Sequence, residues 1–247
     1  MTKPIVTLAT SADFPNLDED DRGLPDALRE RGIEPRVAIW DDPAVNWDDA
    51  GVVVMRSVRD YATKDKYAAF LEWARSLSRV ANHSDVVTWN SDKHYLGRLA
   101  DLGVPMIPTT WLEPTAGLSK HQVHTRFPAQ GDFVVKPAIS SGGRGTGRYT
   151  STHAGSRSQA INDAMHHLRH GRSVMVQRYL QQVDRGGEIS LVYFNGILSH
   201  AVDKAPMLHP RFRSTDEVHE EVVTAREPSE QEWLWGERVR KAIHGLI

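Results

Sequence analysis

The first third of the chain alternates short, β-branched apolar runs with segments that repeat apolar residues at helical spacing. The runs predict four buried strands, at residues 5–10, 36–40, 51–56 and 80–82. Helices are predicted between them, at residues 23–30 and 64–77. Strands that alternate with helices form βαβ units, so we expect a parallel sheet with right-handed crossovers.

The next segment, residues 89–108, predicts one helix with marked ends. Asn90 is a good N-cap, Gly103 suits the position just after the helix, and Pro105 follows as a stop. Lys93 falls in the first turn, where the helix dipole disfavours a cation. An anion bound at the same end would explain this placement; the alternative is a solvated surface lysine.

From residue 130 onward the pattern favours antiparallel pairs. Strands are predicted at residues 133–135, 148–150, 173–177, 188–194 and 197–204, and helices at residues 156–169 and from residue 229. Asn195-Gly196 joins the last two strands, and Asn-Gly is the strongest short hairpin signal. Residues 206–227 form a polar stretch that we expect to be a loop, long enough to be a lid or partly disordered.

Residues 133–149 carry the clearest chemical signal. A buried strand leads to Lys136, and Pro137, which has no N–H group, is expected to end the strand pairing. Four glycines then follow within six residues, which allows several N–H groups to face one anion. No G-K-[ST] closes the stretch, so it does not match a Walker A loop. The pattern instead indicates a flap that covers a bound polyphosphate. Taken alone, the stretch fits a flexible hairpin tip equally well.

Polar pairs follow two of the predicted parallel strands, Thr10-Ser11 and Arg56-Ser57. Ligands of parallel α/β sheets collect beyond the C-terminal strand ends, and a guanidinium there can hold a carboxylate bidentately. The acidic loop at residues 17–21 should face the same edge. We therefore favour a substrate site here over a solvated arginine at a strand exit.

Composition is that of an ordinary globular protein, with 247 residues, 40% hydrophobic and 25% charged. The net charge of −2 gives no bulk field for nucleic acid or an anionic membrane, so we expect neither as a partner. The absence of cysteine excludes disulfides and a thiol nucleophile and fits a cytoplasmic protein. We interpret His166, His167 and His170 as a solvated helix face and not a metal site. A homo-oligomer stays possible.

Four motifs occur in the order and spacing of one family. They are N-S-D-K before a G-V-P-x-x-P turn, F-V-V-K-P with S-S-G-G-R-G, V-Q-R-Y-L, and G-E-I-S-L-V-Y-F-N-G-I-L-S-H-A-V-D-K. With them the chain resembles, over essentially its whole length, the ATP-grasp superfamily of carboxylate–amine ligases. The resemblance implies an α/β N-terminal parallel-sheet domain (residues 1–88) followed by α+β ATP-grasp subdomains at residues 89–176 and 177–247, the second of them incomplete.

The resemblance also implies roles for the matching residues. The residues implied to hold ATP are Lys93, Lys136, Ser140, Ser141, Gly142, Gly143, Gly145, Gln177, Tyr179, Leu180 and Asp184. The two lysines would bind the phosphates, under a flap formed by residues 140–145. The backbone of Tyr179 and Leu180 would meet the adenine edge, Gln177 would accept from its amino group although the family usually has Glu there, and Asp184 would accept from the ribose.

The implied chemistry needs positioning and charge neutralisation, not a protein nucleophile. Lys204 would reach the γ-phosphate or the oxyanion, and we take Lys204 and Arg56 as candidate catalytic residues. The cofactors implied are ATP and Mg²⁺. The family's Mg²⁺ ligands would lie after Ile247, and nothing from Pro206 onward matches them. We therefore expect the protein to continue for a few tens of residues, and these residues alone to bind phosphates poorly and be inactive.

The first domain resembles the branch that contains the O-ureido-D-serine cyclo-ligase of D-cycloserine biosynthesis, an antibiotic pathway. The matching features are L-D-E-D-D at residues 17–21, W-D-D-P at residues 40–43 and M-R-S-V-R-D-Y at residues 55–61. The substrate would be a small amino acid held by Thr10, Ser11, Arg56 and Ser57. Three alternatives stay open: an intermolecular amino-acid or dipeptide ligase, a nucleotide-binding regulator without ligase activity, and a hydroxyl kinase on the same scaffold.

Overall fold

A computed structural model describes residues 3–209 and 221–246, without the side chain of Lys64. The chain divides into two compact units, Met1–Ser91 and Asp92–Ile247. The further division predicted at residue 176 stays a prediction. Strand pairing crosses that position, because one strand of the second unit runs over Val174–Arg178.

The first unit is built on a four-stranded parallel sheet, as predicted. Its strands lie in the order β2-β1-β3-β4. They are β1 Ile5–Thr10, β2 Glu34–Ile39, β3 Val52–Ser57 and β4 Val80–Ala81. The helices are α1 Leu24–Glu30, α2 Lys64–Ser76 and α3 Ser84–Ser91.

Burial of one face of α2 against the sheet explains why this unit folds. Phe70 and Ala74, four residues apart on α2, form a buried apolar stripe, and Phe70 meets the ring of Trp40 edge-on, with centroids 5.6 Å apart. Ala9 and Val53, from adjacent strands, complete this cluster. Aromatic side chains contribute large apolar areas and edge-to-face contacts, so the α2 stripe anchors the sheet.

The second unit begins with α4 Tyr95–Asp101 and contains a four-stranded antiparallel sheet in the order β5-β8-β6-β7. The strands are β5 Thr109–Leu112, β6 Asp132–Pro137, β7 Gly147–Thr150 and β8 Val174–Arg178. The helices α5 Lys120–Thr125 and α6 Ala154–Arg169 pack on it. The helix predicted at residues 156–169 is confirmed as α6, and Ala160, Ala164 and Leu168 form its buried stripe.

A three-stranded antiparallel sheet in the order β11-β10-β9 completes the second unit. Its elements are α7 Val183–Gly186, β9 Glu188–Phe194, β10 Ile197–Lys204, β11 Val223–Arg226 and α8 Glu230–His244. Asn195 and Gly196 both have positive φ, 50° and 77°, which suits a two-residue hairpin turn. The predicted hairpin is confirmed.

The prediction of one helix starting at Asn90 is wrong. Asn90 lies inside α3, which ends at Ser91, and α4 begins four residues later at Tyr95. Asp92 separates the two helices, because its Oδ1 accepts from the backbone N–H of His94 at 3.1 Å. The C-terminal end is as predicted: Leu102 is the C-cap of α4, and Gly103, with φ 76°, is the residue after it.

Two further strands differ from the sequence analysis, and one expected strand end is observed. The stretch 206–227 contains strand β11, which pairs with β10, although residues 210–220 lie outside the described residues. Strand β5 was not predicted at all. The expected end of strand pairing at Pro137 is confirmed, because β6 ends there and Pro137 is the last residue in register with β8, opposite Val174.

Candidate active site

The residues predicted to hold the nucleotide converge on one cavity of the second unit, with a volume of about 420 Å³. The predicted residues that line it are Lys93, Lys136, Ser140, Ser141, Gly142, Gly143, Gln177, Tyr179, Leu180 and Lys204. Gly145 and Asp184 do not line it. Segments up to 111 residues apart in sequence therefore form one site, from the turn at Lys93 to the end of β10.

Lys93 lies in the turn before α4 and is clasped by the root of the glycine loop. Its Nζ donates to the carbonyl oxygens of Ala138 (3.2 Å) and Ser140 (3.0 Å) and to Ser140 Oγ (2.9 Å). Burial, with help from the nearby charge of Lys136, lowers the pKa of Lys93 to about 8. An anionic ligand would favour its protonated form.

Lys136 reaches the cavity from strand β6. Burial lowers the pKa of Lys136, and the carboxylate of Glu188 acts in the opposite direction. Two lysines that line one cavity together with a glycine loop are suited to a ligand with several negative charges.

The glycine loop between β6 and β7 is anchored at its far end by His167 of α6. Gly145 has φ 68°, and a Cβ atom there would lie 2.8 Å from the His167 ring, so glycine is required on both counts. His167 Nε2 lies 3.0 Å from Gly145 O, and since a carbonyl only accepts, Nε2 carries the proton. The prediction of a solvated helix face is wrong for His167, which is buried.

Gln177, Tyr179 and Leu180 line the cavity at the C-terminal end of β8 and just beyond it. Gln177 Nε2 donates to Thr109 Oγ1 at 2.8 Å, which leaves its Oε1 as the atom for the predicted acceptance from an amino group. The N–H of Tyr179 donates to Asp132 O at 2.9 Å. Because this N–H is already used, the carbonyl of Tyr179 and the backbone of Leu180 are the groups left for the predicted contact with an adenine edge.

Asp184 is held beside this end and not in the cavity lining. It accepts from Arg148 and from the hydroxyl of Tyr179, at 2.7 and 2.6 Å. The hydrogen bond from Arg148, followed by that from Tyr179, lowers the pKa of Asp184. Its predicted acceptance from ribose hydroxyls stays a prediction.

Lys204 ends strand β10 and faces the cavity together with two carboxylates. Its Nζ lies 2.6 Å from Glu221 Oε2, and it is the register partner of Glu188. The predicted contact of Lys204 with a γ-phosphate would therefore compete with an existing ion pair.

In the first unit, Arg56 and the acidic loop meet at one sheet edge, as expected from their positions. Arg56 Nε and Nη2 donate to Asp21 Oδ1 at 2.9 and 2.6 Å, and Ser57 Oγ donates to Asp21 Oδ2 at 2.9 Å. Asp21 is buried. The guanidinium predicted to bind a substrate carboxylate is thus paired with a carboxylate of the chain itself.

The hydroxyl groups of Thr10 and Ser11 donate hydrogen bonds to backbone carbonyls near the same sheet edge. Thr10 Oγ1 donates to Phe14 O at 2.5 Å and Ser11 Oγ donates to Ser57 O at 3.0 Å. Both residues are fully buried. Their side chains hold the backbone at this sheet edge through internal hydrogen bonds. Their assignment as substrate-binding residues stays a prediction.

No group of three or more His, Cys, Asp or Glu residues that could hold a metal occurs in residues 3–209 and 221–246. The two carboxylates of the cavity, Glu188 and Glu221, lie beside lysines. The described residues thus do not supply a Mg²⁺ ligand set. Within the same ranges, no helix has the length and apolar character needed to cross a membrane.

Sequence reasoning missed two residues that organise the site, His167 and Arg148. His167 follows Ala164 by three residues and Ala160 by seven, so it continues the buried stripe of α6. That spacing was a usable signal. Arg148 had none, because its partners Asp132 and Asp184 lie 16 and 36 residues away in sequence.

Comparisons with known proteins agree on one family. Residues 6–82 match the family model for the N-terminal domain of D-cycloserine synthetase DcsG. The cycloserine biosynthesis protein DcsG of Streptomyces lavendulae is 34% identical over 209 residues, which are 83% of this chain and 69% of that protein.

Solved structures add the fold of the whole chain. A crystal structure of D-cycloserine synthetase DcsG has a TM-score of 0.82 and 31% identity, covering 98% of this chain and 82% of that one. D-alanine–D-alanine ligase from Bacillus anthracis complexed with ATP has a TM-score of 0.58 at 14% identity, covering 98% and 78%, and supports the fold alone. The predicted ATP-grasp fold and branch are confirmed, and the chain belongs to the DcsG family of ATP-grasp ligases.

Proposed function

We propose that this ATP-dependent ligase converts O-ureido-D-serine into D-cycloserine. The γ-phosphoryl group of ATP passes to the substrate carboxylate, giving an acyl phosphate and ADP. The nitrogen bonded to the side-chain oxygen attacks the acyl carbon, phosphate leaves, and a five-membered ring closes. Because D-cycloserine lacks the carbamoyl group of O-ureido-D-serine, water also cleaves the N–C bond to that group, which leaves as carbon dioxide and ammonia.

The observation that carries this proposal is the cavity of the second unit in a chain 34% identical to DcsG. Lys93 and Lys136 supply positive charge at the glycine loop, where a triphosphate fits. Apolar residues line another part of the cavity, among them Ile107, Val134 and Leu208, and suit the faces of a nucleobase. Transfer of a phosphoryl group depends mainly on such positioning and charge neutralisation.

The substrate side of the proposal rests on the first unit. Arg56 is half-exposed while its partner Asp21 is buried, so the guanidinium keeps an accessible face. A guanidinium can bind a second carboxylate bidentately while it remains hydrogen-bonded to the first. Arg56 is therefore the proposed contact of the substrate carboxylate, and the acidic loop around Asp21 is the proposed partner of its ammonium group.

Mg²⁺ belongs to the proposal as the ion that neutralises phosphate charge when it is bound. The described residues do not supply a ligand set for it, so no step is assigned to the ion.

Hydroxylamine trapping tests the proposed reaction. Full-length protein is incubated with ATP, hydroxylamine and either O-ureido-D-serine or another amino acid, and hydroxamate and phosphate are measured. We expect hydroxamate with O-ureido-D-serine and none for the Lys136→Ala variant. If hydroxamate forms only with another amino acid, that amino acid is the substrate and O-ureido-D-serine is not. If no carboxylate substrate gives hydroxamate, the result contradicts the proposed ligase activity and favours a non-catalytic nucleotide-binding protein.

A further inference from the structure

The guanidinium of Arg148 lies buried beside the cavity without lining it. Its side chain is 4% exposed. Nε and Nη2 donate to Asp132 Oδ2 at 3.0 and 2.8 Å, and Nη1 and Nη2 donate to the two oxygens of Asp184 at 2.7 and 3.0 Å. Nη1 also donates to the carbonyl of Leu208 at 3.0 Å. Because an arginine has five N–H groups, this set uses its whole donor capacity.

Tyr179 is the first of two cavity residues that Arg148 fixes. The Cζ atom of Arg148 lies 3.6 Å from the centre of the Tyr179 ring, a cation–π contact. The Tyr179 hydroxyl donates to Asp184 Oδ1 at 2.6 Å, and its N–H donates to Asp132 O at 2.9 Å. The ring, the hydroxyl and the backbone of Tyr179 are thus each held by Arg148 or by a partner of Arg148.

Leu208 is the second cavity residue that Arg148 fixes. It follows strand β10 in sequence and lines the cavity together with Met207. Its carbonyl accepts from Arg148, across 60 residues of sequence. Arg148 therefore connects the strand that leaves the glycine loop, the segment after β8 and the segment after β10.

We propose that Arg148 is a positioning residue for the nucleoside end of the bound nucleotide. The inference rests on the proposed binding of ATP in this cavity. By fixing Tyr179 and Leu208 in the free protein, Arg148 removes the cost of ordering them when the base enters. Lysine does not substitute for it, because its point charge with three donors does not bridge two carboxylates and a carbonyl in one plane.

Nucleotide discrimination tests this role. The dissociation constants of ATP and GTP are measured by calorimetry for the full-length protein and for Arg148→Lys. The two nucleotides share the triphosphate and differ in the base, and guanine presents a carbonyl where adenine has its amino group. We expect ATP binding to weaken about tenfold or more, as for one lost charge-assisted hydrogen bond, while GTP binding changes less, so that the preference for ATP narrows.

The matched control is Arg157→Lys. Arg157 also has a partly buried guanidinium in the second unit and donates to His124 and Pro128, and it does not line the cavity. We expect this variant to keep both dissociation constants. A similar loss in Arg157→Lys would mean that any such substitution loosens the unit, and it would overturn the specific role of Arg148.

If Arg148→Lys loses affinity equally for ATP and GTP, or loses none, the inference is overturned, because a positioning role requires the ratio of the two dissociation constants to change. If that variant does not fold, Tyr179→Phe removes only the hydroxyl bond to Asp184. A several-fold loss of ATP affinity with a narrowed ratio supports the role, and an unchanged ratio overturns it. Absence of ATP binding by the unaltered protein would remove the proposed function itself.

Discussion

His167 Nε2 and the carbonyl oxygen of Gly145 lie 3.0 Å apart, so helix α6 holds the end of the glycine loop. Burial lowers the pKa of His167, although the hydrogen bond to Gly145 opposes this, so the ring is neutral and donates one proton. Within the described part of the chain, Nδ1 has no hydrogen-bond partner. The bond to Gly145 is thus the polar contact that fixes this ring under the loop.

Replacing His167 with leucine should destabilise the protein by about 1–3 kcal/mol, because the buried carbonyl of Gly145 loses its donor. Denaturant unfolding measures the change. His166→Leu is the control, since the neighbouring ring is exposed and its loss should alter stability by about 0.5 kcal/mol or less. Equal effects of the two variants would contradict the anchoring role of His167.

Binding of ATP should draw protons from solution near pH 8. The pKa of Lys93 is about 8 in the free protein because of burial and the charge of Lys136, and a triphosphate beside it raises that pKa. ATP affinity should therefore fall as pH rises above about 8.

Calorimetry in two buffers with different ionisation enthalpies measures the proton uptake. Lys93→Gln should abolish most of the uptake, whereas Lys120→Gln, at an exposed lysine that bonds Asn162, should retain it. Identical uptake in Lys93→Gln would assign the protons to another group.

His94 should make stability depend on pH in acid solution. Burial lowers its pKa, but hydrogen bonds to Asp92 and Glu113 outweigh burial, and the net shift is upward from 6.5. A raised folded-state pKa stabilises the protein fully below the unfolded pKa, and this contribution is lost as pH rises through the folded pKa.

The difference in unfolding free energy between the protein and His94→Gln should therefore be largest below about pH 6 and shrink towards pH 8. Urea unfolding at several pH values measures it. A difference that grows with pH would show that the carboxylates do not stabilise the imidazolium.

Asp21→Asn should destabilise the first unit by about 1–3 kcal/mol, because a buried carboxylate that accepts from Arg56 and Ser57 is replaced by a neutral amide. Asp26→Asn is a suitable control, since Asp26 pairs with Arg29 on an exposed surface, where ion pairs contribute about 0–1 kcal/mol. Comparable losses would mean that the Asp21 pair behaves as a surface pair.

Periodicity explains why much of the fold was predictable. β-branched runs predicted the parallel strands, and Asn195-Gly196 predicted the hairpin between β9 and β10. The four-residue strands β5 and β11 were missed because so short a segment has no measurable period and, unlike β7 after the glycine loop, neither was marked by a neighbouring motif. The boundary at Asn90 failed because capping depends on where the chain turns, and Asp92 makes that turn.

The candidate site was predictable where motif residues reach the cavity themselves, as Lys93, Lys136 and Gln177 do. The site was not predictable where a residue's role depends on an ion pair or hydrogen bond with a residue distant in sequence. The ion pair between Lys204 and Glu221 and the Arg148 network join residues distant in sequence, and only the folded chain brings them together.

The charges of the cavity cancel only in part before any ligand enters. Among its described lining residues, Lys93, Lys136, Arg178 and Lys204 face Glu188 and Glu221, so four positive charges meet two negative ones, a sum of +2. Lys204 is already paired with Glu221, whereas Lys93 donates to carbonyl and hydroxyl oxygens. A triphosphate, which carries several negative charges, would therefore meet an excess of positive charge in this cavity.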